Sequence, residues 1–233
     1  MSVVSSSFRH RVRSSIEGPV AGFFGRLGLT PNALTLIGFG IAVVGAFLAA
    51  TQSWLLAGLV VAFGAIFDLF DGALARATGK TSKLGAFLDS VFDRAGEAVV
   101  YIGIAIGLIT TELYVGALLA AGAMAAAMMV SYTRAKSESL GFSSGRGMAN
   151  VGLAPREVRT VMLVGGLIGA GALGVFRQVQ CITTPCPPQI ETGGFVLLGV
   201  LALIAIAATL TTIQRIYFVY HQSKSQQPVT DPK

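Results

Sequence analysis

The sequence predicts an all-α integral membrane protein with six transmembrane helices, preceded by an amphipathic helix that lies on the membrane surface. Hydrophobic residues make up 53% of the 233 residues and charged residues only 12%, whereas a soluble domain is about 25% charged. The mean hydropathy is +0.72. Apolar stretches long enough to cross a hydrocarbon core of ~30 Å recur along the chain, separated by short polar breaks. These observations exclude a soluble globular domain.

The first element is a basic segment, residues 1–30, which we expect to lie along the membrane surface as a helix. Its apolar members recur mostly every three or four residues, at Phe8, Val12, Ile16, Val20, Phe23 and Phe24. Gly18 and Pro19 are expected to kink this helix. A removable signal peptide is not predicted, because no apolar core is followed by a small-residue cleavage site. The alternative is a frayed basic tail.

Six apolar spans follow and form one membrane domain over residues 31–222, with a polar tail at 223–233. A capping hydroxyl at Thr30 and a proline at position 31 are typical of a helix start. The third and fourth spans are joined by residues 110–113 alone, which requires a tight hairpin. The predicted spans are 33–50, 55–77, 88–109, 114–134, 159–176 and 194–219.

The basic residues predict how these spans are oriented. Sixteen of the 17 Lys and Arg fall near the two termini or the loops after the second and fourth spans, and only Arg177 falls on the other side. This bias places the termini and those loops in the cytoplasm of a cell-membrane protein. The outer loop, residues 177–192, contains Cys181 and Cys186. Two alternatives stay open for these cysteines, a disulfide or a pair of free thiols.

An acidic cluster is the most informative feature of the sequence. Five of the eleven acidic residues fall within thirty positions, toward the cytoplasmic ends of the second and third spans: Asp68, Asp71, Asp89, Asp93 and Glu97. A charged Asp near the middle of a span costs ~2.5 to 3.5 kcal/mol on insertion scales, and the cost is lower near the interface. Carboxylates that converge also repel each other, and a divalent cation relieves that repulsion.

The spacing of the aspartates supports their convergence. Asp68 and Asp71 are three apart on one helix, and Asp89 and Asp93 are four apart on the next, so each pair occupies one helical face. Oxygen ligands without a nearby His or Cys predict Mg²⁺ or Mn²⁺. The alternative is a set of buried ion pairs between these acids and the two helix-borne bases nearby, Arg76 and Arg94.

The run Asp68-Leu-Phe-Asp71-Gly72-Ala-Leu-Ala75-Arg76, with Gly85, Asp89 and Asp93 after it, resembles the signature of the CDP-alcohol phosphotransferases at every fixed position. The resemblance implies that Asp68, Asp71 and Asp89 bind metal, as two ions. It also implies that Asp93 approaches the metal and serves as the general base. The cytidine diphosphate would be surrounded by the residues that match the donor site of that family: Asp68, Gly72, Ala75, Arg76 and Gly85.

The acceptor is predicted from basic residues. Arg94 directly follows the last aspartate, which resembles family members that use inositol phosphate; glycerophosphate users carry Asp-Pro at the third aspartate and Lys after the fourth. Further bases resemble the acceptor-phosphate site of phosphatidylinositol phosphate synthases: Arg134, Lys136, Arg156, Arg159 and Arg215. Arg offers a bidentate fork to a phosphate. The first four could instead be positive-inside charges. Pro155 and the longer outer loop depart from those enzymes.

The sequence therefore predicts a metal-dependent transferase that moves the phosphatidyl group of CDP-diacylglycerol to inositol 1-phosphate and releases CMP. A phosphatidylglycerophosphate synthase is the alternative within the same class, and an ion-coupled transporter or a non-catalytic scaffold are alternatives outside it. The resemblance also implies a homodimer in the lipid bilayer, and no nucleic-acid partner is expected.

Overall fold

The computed structural model describes residues 30–77, 82–142, 151–177 and 189–226. Within these ranges the chain is helical apart from one short two-stranded ribbon, which confirms the all-α prediction. The elements are α1 Pro31–Ala50, α2 Trp54–Ala77, α3 Lys83–Ile109, α4 Tyr114–Ser139, α5 Arg156–Leu173, β1 Phe176–Arg177, β2 Gln189–Ile190 and α6 Thr192–Gln226. The predicted surface helix and both cysteines lie outside the described residues.

Three of the described helices are long and apolar enough to cross a membrane, and they lie at Pro31–Ala50, Tyr114–Ser139 and Thr192–Lys224. Large apolar side chains on the surface of these helices agree with that assignment. Phe47 is 66% exposed and Leu118 is 73% exposed, which is unfavourable in water and favourable against lipid. The stretch of α3 from Lys83 to Glu97 carries five charged residues, which lowers its hydropathy: Lys83, Asp89, Asp93, Arg94 and Glu97.

The starts of α1 and α3 are fixed by side-chain caps. Thr30 Oγ1 accepts a hydrogen bond from the backbone N–H of Ala33 at 3.2 Å, and Pro31 occupies the first turn, where its missing N–H costs nothing. Ser82 Oγ accepts from the N–H of Gly85 at 2.9 Å. Serine and threonine caps satisfy backbone donors that have no partner inside the helix. The cap at Ser82 places the start of α3 five residues before the predicted span.

Each of the six described helices packs chiefly against two others. α1 packs against α2 and α3, α4 packs against α3 and α6, and α5 packs against α2 and α6. The buried core joins α3 to α5 and α6 through aliphatic side chains and Tyr101. Gly38 of α1 lies beside Asp68 of α2, and Gly96 of α3 lies beside Ala42 of α1. The end of α2 and the start of α3 therefore lie at the same end of the bundle as the start of α1.

Tight connections close the opposite end of the bundle. Gln52, in the α1–α2 turn, has a φ of 63°, and its Nε2 donates to Thr110 Oγ1, in the α3–α4 turn, at 3.1 Å. The ribbon pairs Phe176 with Ile190 and Arg177 with Gln189. The charged residues of α2, α3 and α5 are thus left at the other end.

Candidate active site

Two aspartates of the acidic cluster meet at a single arginine. Arg156, the first residue of α5, donates through Nη2 to Asp68 Oδ2 at 2.7 Å, and its Nη1 lies 2.5 Å from Asp93 Oδ2. The side chains are partly open to the surroundings, with exposed fractions of 37% for Arg156, 27% for Asp68 and 21% for Asp93. We call these three residues the outer cluster. It joins the end of α2 to the first half of α3 and the start of α5.

Local packing explains why Asp68 points into this cluster. A Cβ at Gly38 would lie 2.9 Å from Asp68 Oδ1, so any side chain at that position of α1 would push the carboxylate away. Asp89 lies one turn before Asp93 on α3 and is half-buried. The side chains of the other predicted donor-site and metal residues on α2 lie outside the described part of the structure, namely Asp71, Gly72, Ala75 and Arg76. Gly85 lies in the first turn of α3.

A second arginine–carboxylate contact lies one turn deeper between α3 and α5. Arg159 Nε and Nη2 donate to the two carboxylate oxygens of Glu97, both at 2.9 Å, and Nη1 donates to the carbonyl of Ala154 at 2.9 Å. The exposed fraction is 1% for Arg159 and 6% for Glu97. We call this contact the inner pair. A forked, charge-assisted contact of this kind compensates the cost of burying both charges.

The segment that leads into α5 is held by α6. Thr211 Oγ1 accepts from the N–H groups of Leu153 at 3.1 Å and Ala154 at 2.9 Å. Arg215 Nε donates to the carbonyl of Val151 at 3.0 Å. Gly152 has a φ of 122°, and a Cβ there would overlap Thr211. These contacts fix the backbone from which Arg156 and Arg159 project.

A cavity of about 60 Å³ adjoins both arginine contacts. Its polar wall is formed by Asp68, Asp93, Glu97 and Arg156, and its remaining wall is mostly apolar and comes from α1, α2, α3 and α5. The cavity thus sets a polar patch of acids and one arginine against an apolar wall.

The donor set of the outer cluster fits a divalent cation. Asp68 and Asp93 come from different helices, yet their Oδ2 atoms both contact one guanidinium, so the two carboxylates face the same space. Carboxylate oxygens are the ligands that Mg²⁺ and Mn²⁺ prefer. Among the described side chains no three acidic, His or Cys residues form a ready cluster. The predicted set of four aspartates includes Asp71, whose side chain is not described.

The predicted acceptor residues occupy different environments. Arg134 is 2.9 Å from Glu138 on its own helix and is exposed, as is Lys136. Arg215 is 3% exposed, and its Nη1 donates to the carbonyl of Val130 at 2.5 Å. Arg156 alone among the five described bases touches the aspartates, and the binding of phosphate by this group stays a prediction.

Sequence reasoning gave no role to Glu97 and expected the acids to pair, if at all, with Arg76 or Arg94. Among the described side chains Arg156 pairs with Asp68 and Asp93, and Arg94 donates to the carbonyl of Ser90 on its own helix. The side chain of Arg76 lies outside the described part of the structure. The spacing of acidic and basic residues in the sequence contained a signal for these contacts. Asp93 and Glu97 are four apart, and Arg156 and Arg159 are three apart, so each pair lies on one helical face and the two faces match in charge.

Comparison with known proteins decides the family. The family model described as CDP-alcohol phosphatidyltransferase matches residues 28–219. The chain belongs to this family. It is therefore a transferase, and the family predicted from the aspartate signature is confirmed.

Three relatives of this CDP-alcohol phosphatidyltransferase are named as synthases of inositol phosphate lipids. It is 41% identical over 137 residues to an archaetidylinositol phosphate synthase of Pyrococcus horikoshii, covering 58% of this chain and 69% of that protein. It is 31% identical over 210 residues to a phosphatidylinositol phosphate synthase of Mycobacterium bovis, covering 88% and 86%. The match to the phosphatidylinositol phosphate synthase of Mycobacteroides abscessus, at 34%, covers 58% of this chain and 62% of that protein.

Solved structures share the fold of this transferase. The phosphatidylinositol phosphate synthase of Mycobacterium tuberculosis with CDP-DAG bound has a TM-score of 0.71 at 24% identity, covering 94% of this chain and 98% of that one. The same enzyme in complex with manganese and citrate has a TM-score of 0.69 at 25% identity, covering 94% and 93%. The membrane-enzyme fold therefore extends over nearly the whole chain.

Proposed function

We propose that this transferase is a phosphatidylinositol phosphate synthase, which transfers the phosphatidyl group of CDP-diacylglycerol to inositol 1-phosphate and releases CMP. The observation that carries the proposal is the outer cluster, where two signature aspartates from different helices meet beside an arginine. The names of the relatives, as synthases of inositol phosphate lipids, support inositol phosphate as the acceptor.

The chemistry follows from the donor set and from the charge of the substrates. The acceptor hydroxyl attacks the lipid-bearing phosphorus, a new phosphorus–oxygen bond forms, and the anhydride bond to CMP breaks. Asp93 takes the hydroxyl proton as general base. A divalent ion held by Asp68, Asp71, Asp89 and Asp93 supplies charge neutralisation and phosphorus polarisation when bound. Mg²⁺ or Mn²⁺, as two ions, is the proposed cofactor.

Both substrates are bound by residues at the same end of the bundle. We place the cytidine diphosphate against Asp68, Gly72, Ala75, Arg76 and Gly85. The acceptor phosphate is placed among Arg134, Lys136, Arg156, Arg159 and Arg215, because a dianion is bound best by several cationic donors. The described contacts engage Nε, Nη1 and Nη2 of Arg159, so any phosphate would share that guanidinium with Glu97.

The proposed placement in the membrane follows the predicted topology. All six helices of the domain 31–222 cross the bilayer, and segment 1–30 lies on its surface. Both termini, the tail 223–233 and the active site face the cytoplasm, where a soluble acceptor arrives and CMP leaves. The enzyme works as a homodimer. The apolar helix surfaces and the one-sided distribution of Lys and Arg support this arrangement.

An acceptor panel tests the proposal. Purified enzyme in detergent or nanodiscs receives CDP-diacylglycerol, Mn²⁺ and one acceptor: inositol 1-phosphate, glycerol 3-phosphate, myo-inositol or serine. We expect CMP release with inositol 1-phosphate only. Release with glycerol 3-phosphate but not with inositol 1-phosphate would make the enzyme a phosphatidylglycerophosphate synthase. Running the panel with an ether-linked donor as well separates phosphatidyl from archaetidyl transfer.

A further inference from the structure

We infer that Arg156 is an internal counterion of Asp68 and Asp93 that a divalent cation displaces, and that the displaced guanidinium then binds the acceptor phosphate. Metal and acceptor would therefore bind with positive coupling. The inference rests on the proposed function, because it assigns an order to the binding events at that site.

The first step of the argument is competition for the same oxygens. The Arg156 fork contacts Oδ2 of Asp68 at 2.7 Å and lies 2.5 Å from Oδ2 of Asp93. A cation coordinated through the same Oδ2 atoms would take the positions that the guanidinium nitrogens now hold beside them. Arg156 and a metal held by those two oxygens therefore exclude each other in this geometry.

The second step concerns charge. Two nearby carboxylates repel each other, and one guanidinium offsets one of their two negative charges. A divalent ion offsets both charges. Once such an ion is bound, Arg156 in its present position would face a like charge at short range, which favours its movement away.

The third step concerns which part of the structure can move. The side chain of Arg156 is 37% exposed, whereas Arg159, three residues later on the same helix, is 1% exposed and held by Glu97. Thr211 fixes the backbone before α5 through Leu153 and Ala154. Because helix and segment are held by these contacts, the movement is a rotation of the Arg156 side chain toward the open end of the site.

The fourth step links the two ligands. A guanidinium released at the edge of the carboxylate site can bind a phosphate with two parallel hydrogen bonds. In the absence of metal the acceptor must compete with Asp68 and Asp93 for this group. Coupling between two binding sites is reciprocal, so an acceptor that binds more tightly when metal is present also raises the affinity for metal.

The decisive experiment measures Mn²⁺ binding to the full-length enzyme without substrates, by electron paramagnetic resonance or calorimetry. Arg156→Gln removes the competing cation, and we expect roughly fivefold to tenfold tighter Mn²⁺ binding, within the usual range of coupling between sites. Lys224→Gln is the matched control, since it removes one positive charge beside Tyr220, and its Mn²⁺ affinity should equal that of the wild type. Unchanged or weaker binding in Arg156→Gln overturns the inference.

A second measurement addresses the coupling. The affinity for inositol 1-phosphate, with inorganic phosphate as a parallel probe, is determined with and without Mn²⁺. Mn²⁺ should strengthen binding in the wild type by a larger factor than in Arg156→Gln, and an equal factor in both proteins contradicts the inference. Arg156→Lys retains the charge without the fork and should show an intermediate Mn²⁺ affinity. If inositol 1-phosphate fails to bind the wild type, the proposed acceptor is wrong, and the Mn²⁺ comparison still decides the role of Arg156.

Discussion

The outer cluster and the inner pair are both contacts between arginine of α5 and carboxylates, and α3 contributes a carboxylate to each, yet their surroundings differ sharply. The outer cluster is between 21% and 37% exposed, and the inner pair is between 1% and 6% exposed. An exposed arginine–carboxylate contact contributes little to stability and is readily exchanged for another ligand. A buried contact is costly to break, because the remaining charge has no water to solvate it. One turn of helix thus separates the proposed catalytic site from a buried contact that stabilises the packing of α3 and α5.

The largest effect is expected at the outer cluster, for Asp93→Asn. Loss of the proposed general base should lower the rate of CMP release about 10²-fold to 10⁴-fold, while the melting profile in detergent stays close to that of the wild type. The rate is measured with CDP-diacylglycerol and inositol 1-phosphate at saturating Mn²⁺. Glu112→Gln, in the turn at the opposite end of the bundle, is the control. A variant that retains more than about a tenth of the activity would remove Asp93 from that role.

Substitutions in the inner pair should show the opposite result, with a loss of folding stability as the main effect. Glu97→Gln leaves Arg159 buried without its counter-charge, and we expect the free energy of unfolding to fall by about 3 to 5 kcal/mol. Arg156→Gln, in the outer cluster, should lower it by about 1 kcal/mol or less. The unfolding free energies of both variants are to be measured by reversible unfolding in mixed detergent micelles. Equal losses in the two variants would erase the contrast between the clusters.

The segment before α5 carries both clusters, and Thr211→Val tests its attachment. The substitution removes the acceptor for two backbone N–H groups, so we expect a loss of about 2 kcal/mol in unfolding free energy. Thr212→Val is the matched control, since the hydroxyl of that buried residue donates to Ala208 in its own helix. If the two variants lose the same free energy, the bonds to Leu153 and Ala154 contribute nothing beyond helix packing.

The smallest effect on activity is expected for a glycine substitution in α1. It distinguishes a disturbance of the outer cluster from a disturbance of helix packing. Gly38→Ala places a methyl group 2.9 Å from Asp68 Oδ1, which should displace the carboxylate and lower kcat/KM roughly tenfold. Gly40→Ala, two residues later in α1, meets nothing within 4 Å and should leave kcat/KM unchanged. Steady-state CMP release at limiting acceptor compares the two. Equal activity would show that Asp68 tolerates a shift of this size.

The sequence predicted the helices well and their ends less well. Each predicted span lies inside or nearly inside one helix, but α3 begins at Lys83, α4 continues to Ser139 and α6 continues to Gln226. The apolar pattern marks only the part of a helix that suits lipid, whereas Lys, Arg, Glu and Gln extend helices into the polar surroundings because they are good helix formers.

The site was predictable where it depends on local spacing and unpredictable where it depends on packing. Helical periodicity alone predicted the helix faces on which Asp68 and Asp93 lie, and those faces can meet when the two helices pack. Their contact with Arg156 joins positions 88 and 63 residues apart, and only the packing of α5 against α2 creates it. Arg215 was expected to reach toward a phosphate, and in the structure its described hydrogen bonds go to backbone carbonyls.

The length of α6 bears on where the chemistry takes place. Its 35 residues span about 52 Å at 1.5 Å per residue, well beyond a hydrocarbon layer of ~30 Å. Near its end, Tyr217 is 64% exposed and Tyr220 is 53% exposed, and Lys224 lies 4.6 Å from the ring of Tyr220. Aromatic and cationic side chains of this kind settle among lipid headgroups. Arg215 ties the same stretch to the segment before α5. The immersion depth of the tyrosines therefore also sets the depth of the proposed catalytic carboxylates, and we expect the reaction rate to depend on bilayer thickness.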